Sequence, residues 1–248
     1  MSMPKSDRKI EKIIATFHLE RPISRLPKPL RHAVARKRFG WIDRFEALRH
    51  RPDGTWSLIE TERLNTIFIH IPKAAGLSVA ESLFASHVAS HTPLFSYLAL
   101  YGGRRFDRMF KFTFVRHPLD RAVSAFRFLK SGGLTENDRI WAEQHLARYR
   151  DIEHFLCDGL PREEIRNWVH FQPQIYFLKD PRTGLIGVDY IGRFENINAD
   201  FDEIAQRLKL DAALKHINRS ARSKVAVSQA ARRSVEDVYK EDFEALGY

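Results

Sequence analysis

The stretch that most restricts what this chain can fold into is Thr66-Ile67-Phe68-Ile69-His70-Ile71, which runs without a spacer into Pro72-Lys73-Ala74-Ala75-Gly76-Leu77-Ser78. A short run of β-branched and aromatic residues, apolar on both faces, is the pattern of a strand buried inside a parallel sheet. Val79, Ala80, Leu83 and Phe84 then recur at helical spacing, so strand, tight loop and helix follow one another directly. A second unit repeats the order. Phe112 to Val115 reads as a strand, Pro118 stands at a first-turn position, and Ala122, Val123, Phe126 and Leu129 form an apolar helix stripe ended by Gly132-Gly133. Alternating strands and helices predict an α/β fold, a three-layer α/β/α sandwich with a parallel sheet and ligands at the carboxyl ends of the strands.

Later segments extend the pattern. Helices are expected around Trp141 to Arg148 and Glu163 to His170, and strands at Ile175 to Leu178 and Tyr190 to Phe194. A further helix carries Phe201, Ile204, Ala205 and Leu208, and a closing one aligns Val235, Val238, Tyr239, Phe243 and Leu246. The chain of 248 residues is 44% hydrophobic and 12% aromatic, which supports one buried core and excludes a largely disordered chain.

The net charge of +10 is unevenly spread: Met1 to Arg51 holds fourteen Lys/Arg against five Asp/Glu, a local +9. Residues 1–51 therefore read as a basic N-terminal arm and 52–248 as the main domain, with a turn at Arg51-Pro52-Asp53-Gly54 between them. Such an arm suits a polyanion or an anionic membrane surface, and equally a solvated face packed on the main body. No nucleic-acid reading motif accompanies the charge, so a nucleic-acid partner is not expected. With no apolar signal core and no bilayer-length apolar run, the expected location is cytoplasmic, with the arm permitting a peripheral hold on a membrane. The single cysteine, Cys157, reads as a buried thiol.

The loop between the first strand and helix places successive backbone N–H groups at a helix N-terminus, where an anion is favoured. Against the nucleotide-triphosphate pattern G-x-x-x-x-G-K-[ST], Gly76 and Ser78 fit, Ile71 replaces the first glycine and Leu77 replaces the lysine. The lysine stands upstream, at Lys73. The phosphoryl-transfer arrangement of loop lysine and magnesium is thus missing, whereas a sulfuryl group carries less charge and needs only a cation near the bridging oxygen and a row of amides.

At the end of the next strand stands Arg116-His117-Pro118-Leu119-Asp120-Arg121-Ala122-Val123-Ser124. Arg116 leaves the sheet at its carboxyl edge, and Arg121, Ser124 and Phe128 share a helix face apart from the apolar stripe. A guanidinium and a hydroxyl suit a phosphate out of reach of the first loop.

Together, P-K-x-x-G-x-S and R-x-P-x-x-R-x-x-S, each after a strand, resemble the carbohydrate sulfotransferase family, whose fold is like that of the P-loop nucleoside triphosphatases (P-loop NTPase-like). The resemblance runs from about Thr66 to the end. It takes in His170-Phe171-Gln172-Pro173-Gln174, Ile191-Gly192-Arg193-Phe194-Glu195-Asn196, His216-Ile217-Asn218-Arg219-Ser220, Tyr239-Lys240-Glu241-Asp242-Phe243 and Gly247-Tyr248. It implies a donor, 3′-phosphoadenosine 5′-phosphosulfate (PAPS), and no metal. Lys73 would contact the transferring sulfate, Ala74, Ala75, Gly76, Leu77 and Ser78 the 5′-phosphate, and Arg116 and Ser124 the 3′-phosphate. Asn218 to Lys224, with Ser220, looks like the loop that closes over the nucleotide. Leu77 departs from the family's usual Thr or Ser, leaving only its amide to serve there.

The acceptor hydroxyl must lose a proton, and His91, after the first helix, is the candidate base, where sugar-modifying members often place a histidine. His87 is the substitute, and His70 and Glu195 stand at strand ends near the site. The resulting expectation is an enzyme that moves a sulfuryl group from PAPS to a hydroxyl of a carbohydrate or glycolipid-like acceptor. Two rivals are a phosphotransferase with a degenerate loop, which would require magnesium and a triphosphate, and a non-catalytic module gripping a polyanion through its arm. The acceptor's identity and the oligomeric state are left open by these residues.

Overall fold

The computed structural model describes Pro27, Leu30 and residues 47–49, 57–86, 91–215 and 226–248. In chain order its main elements are β1 (Thr66–Ile69), α1 (Gly76–Phe84), α2 (Leu94–Tyr101), β2 (Phe110–Val115), α3 (Pro118–Lys130), α4 (Glu136–Leu146) and α5 (Gln174–Leu178). They continue with β3 (Tyr190–Arg193), α6 (Ile197–Arg207), α7 (Gln229–Val238) and α8 (Lys240–Leu246). The chain forms two compact units. One takes Met1–Ile71, Ala75–Val115 and Tyr176–Ile217, and the other Pro72–Ala74, Arg116–Ile175 and Asn218–Tyr248.

The first unit holds a parallel sheet in the order β1-β2-β3, the α/β class expected from the alternation of elements. Ile67, Phe68 and Ile69 are each at most 1% exposed, as a strand buried on both faces requires. Phe68 pairs with Phe112 across the β1–β2 ladder, their rings stacked 5.0 Å apart, and Phe84 of α1 stacks on Phe68 at 6.4 Å. The Thr113 hydroxyl, fully buried, donates to the Ile69 carbonyl at 2.8 Å and so tolerates its burial.

The second unit is helical. Pro118 takes the first position of α3, and Leu119, Ala122, Val123, Phe126 and Leu129 face a core shared with Trp141, Leu146, Tyr149, Phe155, Phe171, Val235 and Tyr239. Gly132 and Gly133 end α3 with φ of 97° and 69°, returning N–H groups to the Leu129 and Phe128 carbonyls at 3.0 and 2.9 Å. Thr135 and Asp138 cap α4 reciprocally.

Four expectations need correction. Ile175 to Leu178, expected as a strand, lies in helix α5: a short apolar run fits either element, and here the Asp242 carboxylate accepts from the N–H groups of Gln174 and Ile175 at 2.8 and 2.9 Å, capping a helix start. The expected helix over Glu163 to His170 is shortened to Glu163–Arg166. The closing helix breaks at Tyr239, whose buried hydroxyl donates to the Phe171 carbonyl at 2.8 Å, so α7 and α8 are separate. Cys157, expected buried, is half-buried.

Candidate functional site

The loop after β1 is built from residues held in an unusual backbone region. Lys73 and Ala75 have φ of 67° and 63°, left-handed values that cost a non-glycine residue about 1–2 kcal/mol. Left-handed residues beside right-handed ones form the concave backbone that receives anions, and helix α1 begins at once with Gly76. A Cβ added at Gly76 would lie 1.7 Å from Cδ2 of His70, so glycine is required here by the imidazole packed against it. His70 is 3% exposed and stacked on Phe68 at 5.8 Å, so its ring has no room to retreat. Gly76→Ala should therefore lower stability by about 1–3 kcal/mol, read as a drop in the urea midpoint, and an unchanged midpoint would show that His70 yields. Ala74 and Ser78 are buried, and Ala75 and Leu77 half-exposed.

In the second unit, Lys73 and the strand-end arginine come together. Arg116 Nη1 donates to the Lys73 carbonyl at 3.3 Å, and the Lys73 ammonium stands 3.8 Å from the centre of the Phe128 ring. Burial, and after it the charge of Arg116, presses the Lys73 amine down to about 8, with Asp138 pulling the other way. Ser124, half-exposed, lies one turn before Phe128 on the same face of α3. Lys73, Arg116, Phe128 and the Ser124 face of α3 thus belong to one unit.

Behind them sits a pair that the sequence did not single out. His170 Nε2 lies 3.2 Å from Asp138 Oδ1, and the His170 ring is 5.1 Å from that of Phe128. Burial pushes the Asp138 carboxyl up, but the His170 contact and the N–H of Leu134 and hydroxyl of Thr135 outweigh it and hold it at about 2. Asp138 is therefore an anion that favours the charged form of Lys73. The only signal for this pair was the S/T-x-x-D cap at Thr135, which marks Asp138 as a helix start, and the quoted His170-Phe171-Gln172-Pro173-Gln174 run.

Arg121, read on one helix face with Ser124 and Phe128, lies inside the unit. It is fully buried, donating to the carbonyls of His170 and Gln172 at 3.1 and 2.8 Å and lying 5.1 Å from the Tyr239 ring centre. A buried guanidinium whose Nη1 and Nη2 both answer backbone carbonyls serves the packing of this unit.

His91 is half-buried at φ 56°, its ring 5.0 Å from that of His70, which itself packs on Gly76. Glu195 is exposed in a 3₁₀ turn after β3. His87, Ser220, the Asn218 to Lys224 segment, the Arg51 to Gly54 turn and most of the basic arm lie outside the described residues. Among the described residues no group of three or more His, Cys, Asp or Glu side chains is placed to hold a metal ion, and no helix is long and apolar enough to cross a membrane.

A parallel sheet whose first strand feeds a left-handed loop and a helix defines an α/β protein. More narrowly, a model of the sulfotransferase family matches residues 57–248, and the chain belongs to that family. Carbohydrate sulfotransferase 14 of Homo sapiens and that of Mus musculus are each 26% identical to it over 117 residues. The match covers 41% of this chain and 29% of each relative, so the chain spans under a third of the length of these relatives. No solved structure matches.

Proposed function

We propose that this chain transfers a sulfuryl group from PAPS to a hydroxyl of a carbohydrate acceptor. The acceptor oxygen attacks sulfur while the bond from sulfur to the bridging phosphate oxygen breaks, leaving adenosine 3′,5′-bisphosphate. Lys73 meets the charge that builds on the bridging oxygen, and the amides from Ala74 to Ser78 take the 5′-phosphate. Arg116 and Ser124 take the 3′-phosphate, and His91 accepts the acceptor's proton. The observation that carries this assignment is the bond from Arg116 Nη1 to the Lys73 carbonyl, which brings these two residues together at 3.3 Å. Family membership supports sulfuryl transfer, and the relatives' name supports a carbohydrate acceptor.

The test is transfer of radiolabelled sulfate from PAPS to a panel of polysaccharides, oligosaccharides and glycolipids. Label in at least one glycan supports the proposal, and no transfer to any of them rejects it. His91→Ala is expected to lower turnover about 10²–10⁴-fold while donor affinity, read by calorimetry, holds. Turnover equal to the parent's would remove His91 from the mechanism.

A further inference from the structure

Gln174 is fully buried, and its side-chain amide meets the backbone of Arg116 twice. Its Oε1 accepts from the Arg116 N–H at 2.9 Å, and its Nε2 donates to the Arg116 carbonyl at 2.8 Å. A planar amide bonded to both backbone groups of one residue acts as a neighbouring strand's peptide would, holding that residue's φ and ψ. Gln174 is held in turn. The Asp242 carboxylate of α8, fully buried, accepts from the N–H groups of Gln174 and Ile175. Asp242 carries the burial cost with help from the nearby Arg121 charge. The same helix and the chain end after it reach the next residue, because the His117 ring lies 5.6 Å from Phe243 and 5.4 Å from Tyr248.

We propose that Gln174 is a positioning residue for the second anion motif, fixing the backbone from which the Arg116 guanidinium is aimed, and that Asp242 acts through it. This rests on the reading of Arg116 as the contact for the 3′-phosphate. A guanidinium binds phosphate through a rigid fork, so an error of tenths of an ångström at its base is felt at the ligand. A purely structural Gln174 would stabilise the unit without setting which nucleotide is preferred. A positioning Gln174 controls the preference for a ligand with a 3′-phosphate over one without.

The test titrates the parent, Gln174→Leu, Gln174→Asn and Arg116→Ala with adenosine 3′,5′-bisphosphate and with adenosine 5′-monophosphate, with thermal melts to confirm folding. Gln174→Leu removes the amide, and Gln174→Asn keeps it one methylene short. In both, the preference for the bisphosphate is expected to fall about tenfold or more, with monophosphate affinity within about twofold of the parent's. If Arg116→Ala erases the preference and a folded Gln174 variant keeps it, the positioning role is overturned and the 3′-phosphate assignment stands. If Arg116→Ala keeps the preference, the assignment itself falls and the positioning role with it. Failure of both Gln174 variants to fold also overturns the proposal, since the amide would then be a requirement of the fold.

Discussion

Replacing Lys73 by alanine is expected to lower sulfate transfer about 10²–10³-fold, the size of effect seen when one preorganised donor to a developing charge is removed. The fold should survive, because Lys73 is not one of the core residues and its ammonium rests on the face of the half-exposed Phe128. The pH profile carries the same claim. In the free protein burial and the neighbouring Arg116 bring the Lys73 amine down to about 8, so its charge is present below that pH and lost above it. A cation needed for a polyanionic donor then makes kcat/KM fall as pH rises through about 8, since kcat/KM reports the free enzyme. Lys73→Arg, which keeps its charge at every working pH, should flatten that alkaline limb even where its turnover is low. Full activity in Lys73→Ala, or an alkaline limb unchanged in Lys73→Arg, would remove Lys73 from the site.

Arg116→Ala should act mainly on the donor. Hydrogen bonds to charged groups contribute about 1.5–3 kcal/mol, so affinity for adenosine 3′,5′-bisphosphate is expected to drop about 10–150-fold. Affinity for the 5′-monophosphate should hardly move. The substitution also removes the bond to the Lys73 carbonyl, so a smaller loss of turnover accompanies the loss of affinity. Equal loss for both nucleotides would mean that Arg116 shapes the loop without meeting the 3′-phosphate.

The parallel sheet and the strand-to-helix turns that carry the two motifs were legible because they depend on local chemistry. The run from Thr66 to Ile71 has no polar face, and Pro118 and Gly132-Gly133 mark the ends of α3 by their backbone limits. What escaped was non-local. Ile175 to Leu178 has the composition of a strand, and only the carboxylate of Asp242, far along the chain, makes its first turn helical. The burial of Arg121 has no sequence signal because its partners, the carbonyls of His170 and Gln172, carry no side-chain signature. The roles of Phe128 beneath Lys73 and of the Asp138–His170 pair behind it likewise come from contacts across the sequence. Gly76 shows the converse: its glycine is legible in the loop, while the imidazole of His70 that demands it is visible only in the packing.

The most direct test is a calorimetric titration of the full chain with adenosine 3′,5′-bisphosphate in a metal-chelating buffer, set beside ATP with magnesium. One site for the bisphosphate, weakened in both Lys73→Ala and Arg116→Ala, is the expected result. Binding of magnesium ATP with none of the bisphosphate, or bisphosphate binding indifferent to both substitutions, would contradict it.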